Sequence, residues 1–111
     1  MSSPQSLPPF LQGVIDDHPQ VWEAYQRLGK SVSEAGPLDE RDQRLVKLSL
    51  AIGAKSEGAV HSHARRALVE GVPAHALYQV ALLAITTIGW SSAMASLSWI
   101  RDAVEKKPSA E

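Results

Sequence analysis

The sequence contains no cysteine among its 111 residues, and this absence excludes several kinds of chemistry. Without a thiol the chain has no disulfide, no thiolate ligand for a metal ion and no redox cycle that runs through a cysteine. A surplus of one charge is also absent, since 11 basic and 12 acidic residues give a net charge of -1. The chain lacks the basic excess that is typical of nucleic-acid-binding proteins, so we expect no nucleic-acid partner.

Two further absences concern targeting and membranes. No basic segment followed by an apolar one opens the chain, so a secretory signal is not evident and a cytoplasmic location is expected. Charged residues are also missing from Gly71 to Ile100, a stretch long enough to be mistaken for a membrane span. Its many serines and threonines, together with Gly89, favour two helices buried in protein and no membrane partner.

The spacing of the apolar residues predicts an all-α fold. They recur at intervals of three and four, and no stretch alternates with period two for long enough to form a strand. We expect a single-domain helical bundle of about six helices, with N-caps at Asp39 and Ser56 and a C-terminal stop at Gly71. Residues 1–6 and 106–111 are expected to be flexible tails on either side of one helical domain over 7–105. The expected helices run over about 10–15, 19–34, 39–55, 56–71, 74–88 and 91–106.

The segment from Ser56 to Gly71 holds the densest set of reactive side chains. At about 100° per residue, His61 and His63 lie about 200° apart around a helix, so a regular helix does not present both to one metal ion. Glu57 and His61 do share a face with Arg65, and we expect this face to be solvated. We therefore predict no metal site, with a Glu57 and His61 site completed by another subunit or segment as the alternative.

His63 occupies a different stripe of the same predicted helix, together with Ser56 and Ala59. This stripe adjoins Val60 and Ala64, so we expect His63 to be buried or half-buried. One interpretation is a core histidine bonded to a backbone carbonyl, and the spacing alone favours it. The other is a catalytic histidine, because an imidazole titrates near neutral pH and transfers protons readily.

From Leu38 to about Val104 the chain resembles the carboxymuconolactone decarboxylase and alkylhydroperoxidase D-like superfamily, a small all-α fold. The resemblance rests on an acidic helix start at Leu38-Asp39-Glu40-Arg41, the apolar helix from Leu45, the block from His63 to Gly71, and a following helix that ends near a glycine. In the peroxidase branch the corresponding pattern is Cys-x-x-Cys-x-x-x-His, with a proton-relaying glutamate twelve residues before the first cysteine.

Those family positions hold Ser56, Ala59, His63 and Arg44 in this sequence, so the histidine is the residue that matches. Serine and alanine cannot form the redox pair, and thiol peroxidase activity is therefore not expected. The lactone-decarboxylase branch lacks the cysteine pair and uses no metal or organic cofactor, which makes it the nearer analogue. The resemblance then implies a small carboxylated substrate bound by Arg44, with His63 as acid/base catalyst and Ser56 adding a hydrogen bond.

Whether the chain is an enzyme stays open at this point. One interpretation is a cofactor-free lyase or isomerase; the other is a non-catalytic oligomeric homologue that has lost the redox pair, with Arg44 as a surface cation beside Lys47. The resemblance also implies a homo-oligomer, a trimer or a hexamer, and the apolar C-terminal half is consistent with subunit packing. Trp22, Trp90 and Trp99 are candidates for that interface or for the core.

Overall fold

The structure is a computed structural model that describes residues 7–106. Every regular element in this part of the chain is an α-helix, so the predicted all-α fold of six helices is confirmed. The predicted tails lie outside the described residues, apart from Lys106, and the predicted single domain over 7–105 stays a prediction. The helices are α1 (Pro9–Asp17), α2 (Pro19–Ser33), α3 (Glu40–Gly53), α4 (Glu57–Val69), α5 (Ala74–Ile88) and α6 (Trp90–Val104).

The chain divides into two compact units between Leu38 and Asp39. In the first unit α1 packs against α2, and one residue, His18, is the C-cap of α1 and the N-cap of α2. Neither helix buries a residue. The apolar residues Val21 and Leu28 of α2 are both more than half exposed.

The second unit contains α3 to α6, which pack around a core of small and aliphatic side chains. The most extensive helix pair is α5 with α6, while α4 packs on both α3 and α6. More than half of the buried apolar residues are alanines, and such small side chains let neighbouring helices approach closely. These residues are Leu48, Ala51, Ile52, Val60, Ala64, Ala67, Val72, Leu77, Ala81, Ala84, Ala93, Ile100 and Ala103.

Both predicted N-caps in this unit are confirmed. The Asp39 carboxylate accepts a hydrogen bond from the backbone N–H of Asp42 at 2.8 Å and begins α3. The Ser56 hydroxyl accepts from the backbone N–H of Ala59 at 3.4 Å and begins α4. Each cap supplies an acceptor to an N–H group that has no partner within its own helix.

The helices α3 and α4 end in the same way, with a residue in the left-handed region after the last turn. Lys55 has φ 57° after α3, and Gly71 has φ 93° after α4. The N–H of Ser56 bonds to the Ala51 carbonyl at 3.1 Å, and that of Val72 to the Ala67 carbonyl at 2.9 Å. These are the six-to-one hydrogen bonds of Schellman motifs, and the stop predicted at Gly71 is confirmed.

The wide apolar face of α3 is buried only in part. Leu48 and Ile52 face the core, whereas Val46 and Leu50 are 45% and 67% exposed. Residues two apart lie about 200° apart around a helix, so one neighbouring surface cannot cover both pairs. None of the helices over residues 7–106 combines the length and apolarity needed to cross a bilayer.

Candidate functional site

Arg44, His63 and Glu70 form one hydrogen-bonded cluster in the second unit. Arg44 extends from α3, His63 lies in the middle of α4, and Glu70 is the C-cap residue of α4. The Arg44 Nη1 atom lies 2.8 Å from His63 Nδ1. Its Nε and Nη2 groups donate to the two carboxylate oxygens of Glu70 at 3.0 and 2.8 Å, the bidentate geometry that suits a guanidinium and a carboxylate. The structure therefore brings together two of the three predicted site residues, Arg44 and His63.

The surroundings of His63 favour its neutral form. Its side chain is half-buried, and the loss of hydration together with the positive charges of Arg44, Arg66 and Lys47 lowers the pKa of His63 from 6.5 to about 4. The carboxylate of Glu70 acts in the opposite direction but does not outweigh these effects. At neutral pH the cluster therefore holds a neutral imidazole among three cations and one anion.

Glu70 is the member of the cluster that the sequence analysis missed. The hydrogen bonds from Arg44 lower the pKa of Glu70, so it stays ionised at neutral pH. A carboxylate at the C-terminal end of a helix faces the negative end of the helix dipole, and Arg44 offsets that repulsion. Glu70 follows His63 by seven residues, which places the two on the same face of α4 two turns apart. That spacing is the signal that indicates Glu70 in the sequence.

A cleft beside the cluster gives it access to solvent. Glu70 lines this cleft together with Gly71, Val72 and the residues Glu40 and Arg41 at the start of α3. Its volume is about 210 Å³, which is room for about seven water molecules at ~30 Å³ each. The Glu70 side chain is 43% exposed, whereas that of Arg44 is 14% exposed. Glu70 is therefore the member of the cluster that faces this cleft.

Ser56 lies outside this cluster. Its hydroxyl caps α4 by accepting from Ala59, and its described hydrogen bonds include none to Arg44, His63 or Glu70. The seven residues from Ser56 to His63 correspond to ~10 Å along a helix axis. A substrate hydrogen bond from Ser56 stays a prediction, while its structural role is that of an N-cap.

The expected solvated face with Glu57, His61 and Arg65 is wrong for His61. This side chain is 2% exposed, and its Nε2 atom lies 3.4 Å from an Asp102 carboxylate oxygen on α6. The sequence pattern of α4 cannot show this partner, because it comes from a helix about 40 residues later in the chain. Over residues 7–106, no group of three or more His, Cys, Asp or Glu side chains is placed to bind a metal ion.

Comparison with known proteins identifies the family. An uncharacterized protein of Haemophilus influenzae is 32% identical over 50 residues, which are 45% of this chain and 44% of that relative. No solved structure matches the chain at a significant level. The sequence model of the carboxymuconolactone decarboxylase family matches residues 19–102, from the start of α2 to near the end of α6. Because this match covers most of the chain, the protein belongs to the carboxymuconolactone decarboxylase family.

Proposed function

We propose that this protein is a lyase- or isomerase-type enzyme that acts on a small carboxylated substrate at the Arg44, His63 and Glu70 cluster. The observation that carries the proposal is the 2.8 Å contact between Arg44 and His63, a cation and a neutral imidazole held side by side. In the decarboxylation of a lactone acid, the bond to the carboxylate carbon breaks and its electron pair moves toward the lactone carbonyl oxygen. Such a step needs an anion-binding group and a hydrogen-bond donor in one site.

The charges around His63 support an anionic ligand. Three cations, Arg44, Arg66 and Lys47, act on its imidazole, against the single carboxylate of Glu70. Glu70 and His63 together use three of the five N–H groups of Arg44. Two N–H groups remain for a substrate carboxylate, and the other two cations add to its attraction.

A thermal-shift titration with small di- and tricarboxylates and lactone acids tests the binding site, and release of carbon dioxide from any lactone acid that binds tests turnover. At a hundredfold excess over its dissociation constant, a ligand stabilises the fold by about 2.7 kcal/mol, several degrees for a domain of this size. We expect the shift in the wild type and its loss in Arg44→Gln. Arg65→Gln is the matched control, because Arg65 is an exposed cation of α4 that makes no described contact with the cluster. Equal shifts in both variants, or none in the wild type, would contradict the proposal.

A second candidate is a non-catalytic homologue in which the cluster is structural. The bidentate pair of Arg44 with Glu70 favours it, because a cation already paired with a carboxylate of its own chain can serve to join α3 to the end of α4. In that case Arg44→Gln lowers the free energy of unfolding, while no carboxylate shifts the melting temperature of the wild type and no lactone acid is turned over. The same titration and assay therefore distinguish the two functions.

A further inference from the structure

We infer that Glu70 is a positioning residue that, through Arg44, fixes the tautomer of His63, so that the Nε2–H group of His63 is a hydrogen-bond donor to a substrate oxygen. The tautomer follows from the hydrogen bonds of the free protein. Only the identity of the acceptor, an oxygen on which negative charge develops, rests on the proposed function.

The contact between Arg44 and His63 leaves one proton arrangement. A guanidinium has five N–H donors, no acceptor, and does not lose its proton in proteins. At 2.8 Å from Arg44 Nη1, His63 Nδ1 must therefore accept with its lone pair. A doubly protonated ring, or a ring with its proton on Nδ1, would place two N–H groups against each other. The ring is thus neutral and carries its proton on Nε2, in agreement with the burial and the surrounding cations that oppose its charging.

Glu70 is needed to hold Arg44 in the orientation that produces this arrangement. An arginine side chain loses conformational entropy when it is fixed, and a single hydrogen bond to a neutral imidazole does little more than offset that loss. The two charge-assisted bonds to Glu70, at 3.0 and 2.8 Å, fix the guanidinium plane while Nη1 meets His63. Since His63 lies in α4 and Glu70 is the C-cap of the same helix, both acceptors of the Arg44 hydrogen bonds are held by α4.

This arrangement defines what His63 does in the reaction, and it differs from the acid/base role that the family resemblance implies. With its lone pair on Nδ1 engaged by Arg44, the imidazole does not act as a base through Nε2. Instead, as the bond to the departing carboxylate breaks and the electron pair reaches the carbonyl oxygen, Nε2–H donates a hydrogen bond to that oxyanion. Carbon dioxide leaves, the electron pair returns from the oxyanion to the carbon, and that carbon takes a proton from water. The hydroxide left behind combines with the carbon dioxide to give bicarbonate.

Long-range proton–nitrogen correlation spectra of ¹⁵N-labelled protein measure the tautomer directly, without a ligand. The His63 signals are assigned by their loss in His63→Gln. We expect a single tautomer, with Nε2 protonated and Nδ1 unprotonated, from pH 8 down to about pH 5. A proton on Nδ1 at pH 7, or a doubly protonated ring at pH 6, would overturn the inference.

Two variants test the role of Glu70 and of the guanidinium fork. Glu70→Gln keeps the shape but removes the charge, and Arg44→Lys keeps the charge but cannot hold Glu70 and His63 in one plane. We expect both to show a mixture of His63 tautomers with unchanged helical content by circular dichroism. Glu40→Gln is the control for the tautomer, because Glu40 lines the same cleft and has no described bond to Arg44. A single Nε2–H tautomer in Glu70→Gln would show that Glu70 does not position the ring.

Turnover separates this inference from the proposed function. If both are right, Glu70→Gln lowers kcat for a lactone acid about tenfold or more, with a smaller change in KM, because the misplaced donor acts on the transition state. A fixed tautomer in a protein that binds no carboxylate would remove the proposed function and leave the positioning role intact. If the wild type turns over a lactone acid but shows a mixture of His63 tautomers, the proposed function stands and the positioning role of Glu70 is wrong.

Discussion

At the residue scale, the proposed function depends on a histidine that is kept neutral by its neighbours. Burial and three nearby cations hold the pKa of His63 near 4, far below that of a solvated imidazole. Glu70 and Arg44, by contrast, stay charged and satisfy each other. In the proposed function the cluster therefore separates two tasks, attraction of an anion by Arg44 and hydrogen bonding by an uncharged ring.

The first prediction concerns the effect of pH on stability. The unfolded chain binds a proton at His63 near pH 6.5, and the folded chain does so only near pH 4. Between these values the unfolded state binds more protons, so the folded state loses stability as the pH falls from about 6.5 to about 4. We expect the free energy of unfolding of the wild type, relative to His63→Gln, to be about 1 kcal/mol smaller at pH 5 than at pH 7.5, after allowance for solvent screening at a half-buried site. Urea unfolding at the two pH values measures this difference.

The choice of pH and of control isolates His63 from other groups. The pKa of Glu70 lies below its ordinary value of 4.5, so the stability that its ionised form contributes is lost only at lower pH than the measurement uses. His75 is an exposed histidine on α5. His75→Gln is the control for the substitution of a histidine by glutamine, and an equal change between pH 7.5 and pH 5 in His63→Gln and the wild type would argue against a neutral His63.

Sequence reasoning found two members of the cluster and missed the third for a physical reason. The family pattern indicated His63 and Arg44 by their positions. The contact between them involves only the neighbouring helices α3 and α4. Glu70 takes part because the side chain of Arg44 reaches it from another helix, 26 residues away in sequence. His61 shows the same limit, since its burial depends on Asp102 of α6. A helical pattern gives the face of a residue, but not the partner that faces it.

At the scale of the helices, the ends of α3 and α4 decide where the site residues lie. Local signals placed these ends well, because caps and left-handed residues act within one or two turns. The bounds of α5 are as expected, and α6 begins one residue earlier than expected, at Trp90. A single residue, Gly89 with φ 100°, is enough to connect the two helices.

The second prediction compares the two N-caps. Ser56→Ala should lower the free energy of unfolding by about 0.5 kcal/mol and Asp39→Ala by about 1 kcal/mol, because the Ser56 bond is 3.4 Å long and the Asp39 bond is 2.8 Å. Ser56→Asp should restore the loss. Thermal denaturation measures the three values. Loss of carboxylate binding in Ser56→Ala at unchanged stability would instead support the predicted substrate hydrogen bond from Ser56.

The third prediction concerns the left-handed residues that follow α3 and α4. Lys55→Gly should raise the free energy of unfolding by about 0.5 to 1 kcal/mol, because glycine adopts a positive φ without the steric cost of a Cβ atom. Gly71→Ala should lower it by about 1 kcal/mol for the same reason. An added Cβ at Gly71 would meet no atom within 4 Å, so the backbone conformation alone is tested. Equal stability of Gly71→Ala and the wild type would contradict this explanation.

At the scale of the whole molecule, the second unit carries an apolar groove on α3 and α5. The groove has a volume of about 130 Å³ and is lined by apolar or uncharged residues, including Ile52, Val80 and Leu83. Of the residues that line the groove, Leu83 is 61% exposed and Ile88 is 37% exposed. A large exposed apolar patch is typical of an interaction surface. We therefore keep the prediction that the chain forms a homo-oligomer, a trimer or a hexamer.

The fourth prediction is that Leu83→Arg reduces the size of this assembly. A new charge in the groove would be buried without a partner on association, at a cost of several kcal/mol. We expect sedimentation velocity to show an oligomer for the wild type and smaller species for Leu83→Arg. Val69→Arg is the control, since it makes the same change at an exposed apolar residue of α4 that does not line the groove. A wild type that sediments as a monomer would contradict the prediction.

The single residue Ser56 takes part in both the end of α3 and the start of α4. Its N–H bonds to Ala51 of α3, and its hydroxyl accepts from Ala59 of α4. One residue inserted into this connection would break one of these bonds or turn α4 by about 100° about its own axis. The connection therefore sets the rotation of α4 about its own axis relative to α3. This rotation decides which histidine of α4 contacts Arg44, and that histidine is His63.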